Sequence, residues 1–171
     1  MQGDLSQPVK KHVMTKEQAI STGGGAANEV PGIPVATVRL IIPNADGKVL
    51  LLRRAQTAYG DKQWCLPGGK VDYGETVEHA AAKELREETS LICSKMRFLF
   101  YQDSPASQTG GMHCINFYFE CAIDGELALN PESSEHAWVG PADLVRYDIV
   151  FRNDMGLWRY WNEILGQRSA G

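Results

Sequence analysis

The chain has 171 residues, 43% of them hydrophobic and 22% charged, and a formal net charge of −4. That profile fits one soluble globular domain with room for a core, and it offers no basic footprint for duplex nucleic acid. No apolar run is long enough for a membrane span, and the N-terminus lacks the basic-then-apolar order of a signal peptide. A cytoplasmic protein is expected.

Residues 1–34 read as an N-terminal extension and residues 35–171 as the domain. In the extension, Thr15-Lys16-Glu17-Gln18 fits a capping box opening a short helix, which Gly23-Gly24-Gly25 would end. Pro31 and Pro34 then mark an extended connection. Such an arm is expected either to be a poorly ordered tail or to pack on the domain or on a second subunit, so a homodimer is one expectation. From Val35 to Ile42 the pattern alternates like a strand. Asn44-Ala45-Asp46-Gly47 is a turn, and Lys48 to Arg54 is predicted to be the partner strand of a hairpin. A polar loop over residues 55–63 leads to Trp64 and Pro67, then to Gly68-Gly69.

A helix is predicted from Thr76, an N-cap, to Thr89, followed by a strand from Met96 to Gln102. A flexible loop holding Pro105 and Gly110-Gly111 comes next. From Met112 to Ile123 the alternation is regular: Ile115, Phe117, Phe119, Cys121 and Ile123 share one face, and Asn116, Tyr118 and Glu120 share the other. A second loop, Asp124 to His136, carries Glu126, Glu132 and Glu135. Ala137-Trp138-Val139 reads as extended, and Pro141 opens a turn of helix containing Leu144. Leu157, Trp158, Trp161, Ile164 and Leu165 form a helical stripe expected to pack in the core. Mixed strands and helices imply an α/β/α layered domain. Cys65, Cys93, Cys114 and Cys121 show neither a CxxC pair nor a zinc spacing and are expected as reduced, mostly buried thiols. His12, His79, His113 and His136 are scattered and read as surface or packing residues.

The predicted helix carries the chemistry. At about 100° per residue, Glu84, Glu87 and Glu88 fall within an arc of roughly 100° on one face. Like charges that close weaken a helix, and hard divalent cations such as Mg²⁺ or Mn²⁺ would repay the repulsion through the carboxylate oxygens. The bland reading is a solvated acidic face. Against it, Ala81, Ala82 and Leu85 are expected on the adjacent flank, which puts the acidic ridge at the edge of a buried surface.

The spacing resembles the Nudix box: Gly, five residues, Glu, seven residues, then Arg-Glu-hydrophobe-x-Glu-Glu-x-Gly-hydrophobe. Gly69, Glu75, Glu84, Leu85, Glu87, Glu88 and Leu91 match; Lys83 replaces the arginine and Ser90 the last glycine. Lysine offers a point charge where arginine offers a planar fork. Lys83 is expected to neutralise part of the glutamate cluster with less control over its orientation. Ser90 in a left-handed C-cap costs on the order of 1 kcal/mol. Neither change removes a metal ligand.

The resemblance implies the Nudix fold, a mixed β-sheet sandwiched between α-helices. It also implies cleavage of the pyrophosphate bond of a nucleoside diphosphate linked to another moiety, with Mg²⁺ as cofactor and Mn²⁺ as substitute. Glu84, Glu87 and Glu88 are then the metal ligands and catalytic carboxylates. The carbonyl of Gly68 or Gly69 completes the shell, Gly69 being the choice, and Glu75 supports. The resemblance places a base outside the box, with Glu120, Glu132 and Glu135 as candidates, and Glu120 is favoured because its strand face, shared with Asn116 and Tyr118, is expected to look into the cleft. Arg53 or Arg54 is expected to contact the small nucleotide substrate. Trp64 and Tyr118 are further candidates, although Trp64 also suits the core. Pro105, 15 residues beyond Ser90, resembles the placement in ADP-ribose pyrophosphatases and tips the expected substrate toward ADP-ribose or nucleotide sugars over nucleoside triphosphates. The alternative from another class is a nucleotide-sensing Nudix-like module without turnover. Retention of all four box glutamates favours the enzyme.

Overall fold

The structure, a computed structural model, describes residues 32–109 and 112–166. The capping box at Thr15 and the Gly110-Gly111 pair therefore lie outside the described residues. Six strands form two three-stranded sheets among the described residues: β1 (Val35–Ile41), β5 (Cys114–Asp124) and β4 (Ile92–Ser104) in the order β1-β5-β4, and β3 (Trp64–Cys65), β2 (Val49–Arg54) and β6 (Ser133–Val139) in the order β3-β2-β6. β1 runs parallel to β5, and the remaining pairs are antiparallel.

The hairpin expected between β1 and β2 does not form. β1 and β2 belong to different sheets and meet only at the turn, through a Pro43–Val49 bridge and a Leu50 N–H bonded to the Ile42 carbonyl at 3.1 Å. Asn44 closes that turn by accepting the Lys48 and Asp46 amides at 3.0 Å, but the edge of β1 is taken by β5 instead of β2.

Alternation along the strands builds two cores. Val38, Leu40, Ile42, Leu50 and Leu52 pack with Phe119, Cys121 and the Ala80, Ala81 and Leu85 face of α1 (Val77–Thr89). Ile41, Val49 and Leu51 point the other way, against Phe100, Tyr118 and Val139, beneath Leu157, Tyr160 and Trp161 of the C-terminal helix. That helix is α3 (Asn153–Arg159), continued by a π-helical segment (Tyr160–Leu165). Sheets buried on both faces between helices make the α/β/α sandwich, with each fully buried aliphatic side chain contributing about 1.5–3 kcal/mol.

Of the C-terminal stripe, Trp158 is the exception, 41% exposed, because α3 turns it outward. Ala82 is likewise exposed, so the buried flank of α1 is Ala80, Ala81 and Leu85. β4 begins earlier than predicted and β6 starts inside the expected loop. A short helix, α2 (Ala106–Thr109), sits where a flexible loop was expected. The four cysteines are thiols outside any disulfide, Cys65, Cys114 and Cys121 being buried. Among the described residues, no helix is long and apolar enough to cross a membrane.

Candidate active site

α1 starts and stops where local chemistry dictates. The Thr76 hydroxyl accepts the His79 amide at 3.2 Å as N-cap. Ser90 adopts φ 60° at the C-cap and donates its amide to the Arg86 carbonyl at 2.9 Å. The helix thereby aims its acidic residues at the turn that precedes it.

That turn is bolted to β1. The Val38 amide donates to the Gly69 carbonyl at 2.8 Å, and the Leu40 amide to the Pro67 carbonyl at 2.9 Å. Gly68 sits at φ +141°, where a Cβ would come within 2.1 Å of the Val38 carbonyl oxygen, so only glycine fits. At Gly69 a Cβ would meet the Glu84 carboxyl at 2.4–2.6 Å; the missing side chain is the space that the carboxylate occupies. Glu88 is buried, and its Oε2 accepts the Gly68 amide at 2.8 Å. Glu84 and Glu88 therefore converge on the glycine turn, while Glu87 is exposed beside them.

Burial shifts both inner carboxyls. Glu84 is raised to about 6 by desolvation, with Glu87 adding to the rise and Lys83 and Arg39 opposing it. Glu88 is raised to about 8 by desolvation and by Glu84, against the Gly68 hydrogen bond and Arg39. Two neighbouring carboxyls that are harder to ionise than a free glutamate, Glu88 the more so, are a donor set that a dication would relieve. Among the described residues no three acidic, histidine or cysteine side chains converge closely enough to hold an ion by themselves. Mg²⁺ does not require that, since it keeps waters and binds through one or two carboxylates plus substrate phosphates. Glu84 and Glu88 fit this role. The Gly69 carbonyl already accepts one hydrogen bond from Val38 and retains a second lone pair.

Lys83 does something other than expected. Its Nζ bridges the carboxylates of Asp72 (2.7 Å) and Glu75 (3.0 Å). Its charge still bears on Glu84, but its hydrogen bonds clamp the loop to the helix start. Its own pKa is raised by those two bonds, and Asp72 is held below the usual carboxylate range by the same lysine. Burial would raise Glu75, yet Lys83, the Asp72 amide and His79 together pull it down. Glu75 thus supports the start of α1.

The candidates outside the box divide. Glu120 forms a 3.3 Å ion pair with Arg97 on the neighbouring strand, so the arrangement does not favour it as the base. Tyr118 is corrected outright: it is fully buried, stacked on Phe100 at 4.8 Å and pressed against Gly156 of α3, and it cannot touch substrate. The face of β5 read as open is roofed by the C-terminal helix. Glu135 pairs with Arg53, whose Nε also donates to the Lys62 carbonyl at 3.1 Å. Trp64 is half-buried and packs edge-on against Tyr147 at 5.0 Å, matching its core reading.

Arg54 donates to the Tyr59 carbonyl at 3.0 Å and lies 4.9 Å from the centre of the Phe151 ring. Beside it is buried Cys65, whose thiol is pushed up to about 11 by desolvation and by Glu88. Glu132 is placed by a loop laced to the end of α1: the Ala128 amide donates to Thr89 at 2.9 Å, Asn130 to Glu88 at 3.2 Å, and Ala55 to the Glu132 carbonyl at 2.8 Å. Its charge acts on Glu88. Arg39, buried beside the turn, was missed in the sequence, where a single arginine in a hydrophobic strand gives no periodic signal.

The family model of the NUDIX domain matches residues 34–156. The chain belongs to the Nudix hydrolase family. Among its relatives is the nucleoside triphosphatase NudI of Escherichia coli O139:H28, 32% identical over 114 residues that cover 61% of this chain and 81% of NudI. Two solved structures show the same fold. One is a MutT protein from Methanosarcina mazei Go1, with a TM-score of 0.64 and 23% identity over 81% of this chain and 97% of that one. The other is the NUDIX domain of Shewanella oneidensis NrtR complexed with ADP ribose, with a TM-score of 0.65 and 19% identity over 88% and 99%. The Nudix box of this chain is the Gly69–Leu91 segment, so the glycine turn and α1 carry the family's signature.

Proposed function

We propose that this Nudix protein is a Mg²⁺-dependent, cytoplasmic pyrophosphohydrolase that cuts the diphosphate linkage of a small nucleotide. The observation that carries this reading is the convergence of Glu84 and Glu88 on Gly68-Gly69, with Glu87 exposed alongside. When bound, Mg²⁺ supplies charge neutralisation for the diphosphate and a more acidic water. Glu84, Glu88 and the Gly69 carbonyl would hold the ion, and Glu87 is exposed beside them. Gly68, through its amide, fixes the Glu88 rotamer, and the Lys83–Glu75–Asp72 clamp fixes the start of the helix. Glu132, on its pinned loop, is the better candidate to accept a proton from the attacking water; Arg54 is the better candidate to meet substrate phosphate.

For the substrate, the 32% identity to a nucleoside triphosphatase supports a nucleoside triphosphate, whereas Pro105 supports an ADP-ribose or nucleotide-sugar type. The deciding experiment is a turnover panel in Mg²⁺ with nucleoside triphosphates, ADP-ribose and nucleotide sugars, products resolved by chromatography. Release of a nucleoside monophosphate from at least one class is expected. Failure to cleave any diphosphate linkage would remove the hydrolase reading.

A further inference from the structure

The site contains a buried cation that has no carboxylate partner and one unused donor. Arg39 is 5% exposed, and its backbone lies between the two hydrogen bonds that fasten the glycine turn to β1. Its Cα is 3.2 Å from where a Gly68 Cβ would stand, so it directly adjoins the residue that holds Glu88. The guanidinium makes one long hydrogen bond, Nη1 to the Val38 carbonyl at 3.3 Å. Its Nε is buried with no partner. A guanidinium has five donors in a fixed fork, and a buried charge with its donors unspent is expensive.

The surroundings concentrate the same sign of charge. Arg39 lies 4.8 Å and Arg54 4.9 Å from the centre of one ring, Phe151. Phe151 and Arg152 both adopt left-handed backbone, φ 62° and 57°, a conformation that costs energy in non-glycine residues. Tyr59 stacks on Phe151 at 5.6 Å and is itself 41% exposed, so the cluster reaches solvent. Two guanidiniums on one strained aromatic, one of them with an idle buried donor, are arranged for an anion that bridges them. Glu84 and Glu88 do not fill that role, since neither approaches Arg39 within ion-pairing distance among the described residues.

We infer that Arg39, together with Arg54 on the shared Phe151 ring, forms an anion subsite that takes phosphate oxygens of the nucleotide beside the carboxylate pair. This rests on the pyrophosphohydrolase reading. Arg39 thereby acts on substrate affinity separately from metal loading.

The test is calorimetric binding of a non-hydrolysable methylene-diphosphonate nucleotide in Mg²⁺ to wild type, Arg39→Met and Arg39→Lys. Arg39→Met should weaken the nucleotide by about tenfold or more, and Arg39→Lys should recover part of that loss. Mg²⁺ affinity without nucleotide should not fall, because the substitution removes a cation that repels a dication beside Glu84 and Glu88. Unchanged nucleotide affinity in both variants, with wild type binding and turning over substrate, would overturn the subsite and leave the hydrolase reading standing. A parallel loss of Mg²⁺ affinity alone would also overturn it, assigning Arg39 to carboxylate positioning. Wild type that neither binds nor cleaves any diphosphate would overturn both. Should Arg39→Met fail to fold, Arg39→Lys decides: no loss of nucleotide affinity contradicts the subsite, and a selective loss supports it.

Discussion

The Gly68 amide holds the buried Glu88 carboxylate at 2.8 Å, so the same glycine that makes the turn possible also orients a candidate metal ligand. The two glycines of the turn should fail differently. Gly68→Ala would drive a Cβ into the Val38 backbone at a φ of +141° and should cost about 2–4 kcal/mol of stability. Gly69→Ala meets only the movable end of Glu84 and should fold nearly as well as wild type while losing most activity. Urea denaturation of both variants checks this, and equal stabilities would mean that the turn is not strained as described.

The inner carboxyls set a pH dependence opposite to that of ordinary surface acids. Glu84 at about 6 and Glu88 at about 8 lie above the ordinary glutamate value of 4.5. The folded metal-free protein therefore binds these protons more tightly than the unfolded chain. Their contribution is complete below about 4.5 and is lost as pH rises through 6 and then 8. Metal-free stability in chelator should fall between pH 5 and pH 9 by on the order of 4 kcal/mol, chiefly through Glu88, with the partly exposed Glu84 discounted. Mg²⁺ should reverse the trend, with proton release on binding at pH 7 seen by calorimetry in buffers of different ionisation heat. A melting temperature flat across that range would remove the desolvation argument.

How much of this was legible in the sequence depends on how local each signal is. The ends of α1 were readable because Thr76 and Ser90 bond backbone groups within four residues, the His79 amide and the Arg86 carbonyl. Tyr118 was misplaced because alternation in β5 separates two faces without saying that both are covered; the cover arrives with Gly156, far along the chain. Lys83 was assigned to the box carboxylates because Asp72, its 2.7 Å partner, precedes the helix and the spacing does not show the loop folding back. Glu132 outranks Glu120 because backbone bonds from Ala128 and Asn130 dock its loop on α1 while Glu120 pairs with Arg97 across the sheet, long-range facts with no sequence period.

The clamp predicts a structural phenotype for Lys83. Lys83→Ala should lower the melting temperature slightly and leave kcat within about threefold of wild type, and a cycle with Asp72→Ala should show coupling between the two sites. Lys83→Arg should change little. A large loss of kcat with unchanged stability in Lys83→Ala would return this lysine to the carboxylate cluster.

Removing the candidate base should separate two glutamates. Glu132→Gln is expected to lower kcat by about 10²–10⁴-fold, with substrate affinity preserved, whereas Glu120→Gln should stay within a few-fold because its carboxylate serves Arg97. Single-turnover kinetics of the pair checks the assignment, and the reverse order would restore Glu120.

The most direct measurement is turnover of a cleaved nucleotide by wild type and Glu87→Gln in EDTA and across a Mg²⁺ titration. Wild type should be inactive in chelator and recover with Mg²⁺. Glu87→Gln should keep its fold and lose at least about a hundredfold in kcat, 2.7 kcal/mol of transition-state stabilisation. Full wild-type turnover in EDTA, or a fully active Glu87→Gln, would contradict a metal-dependent site on the acidic face of α1.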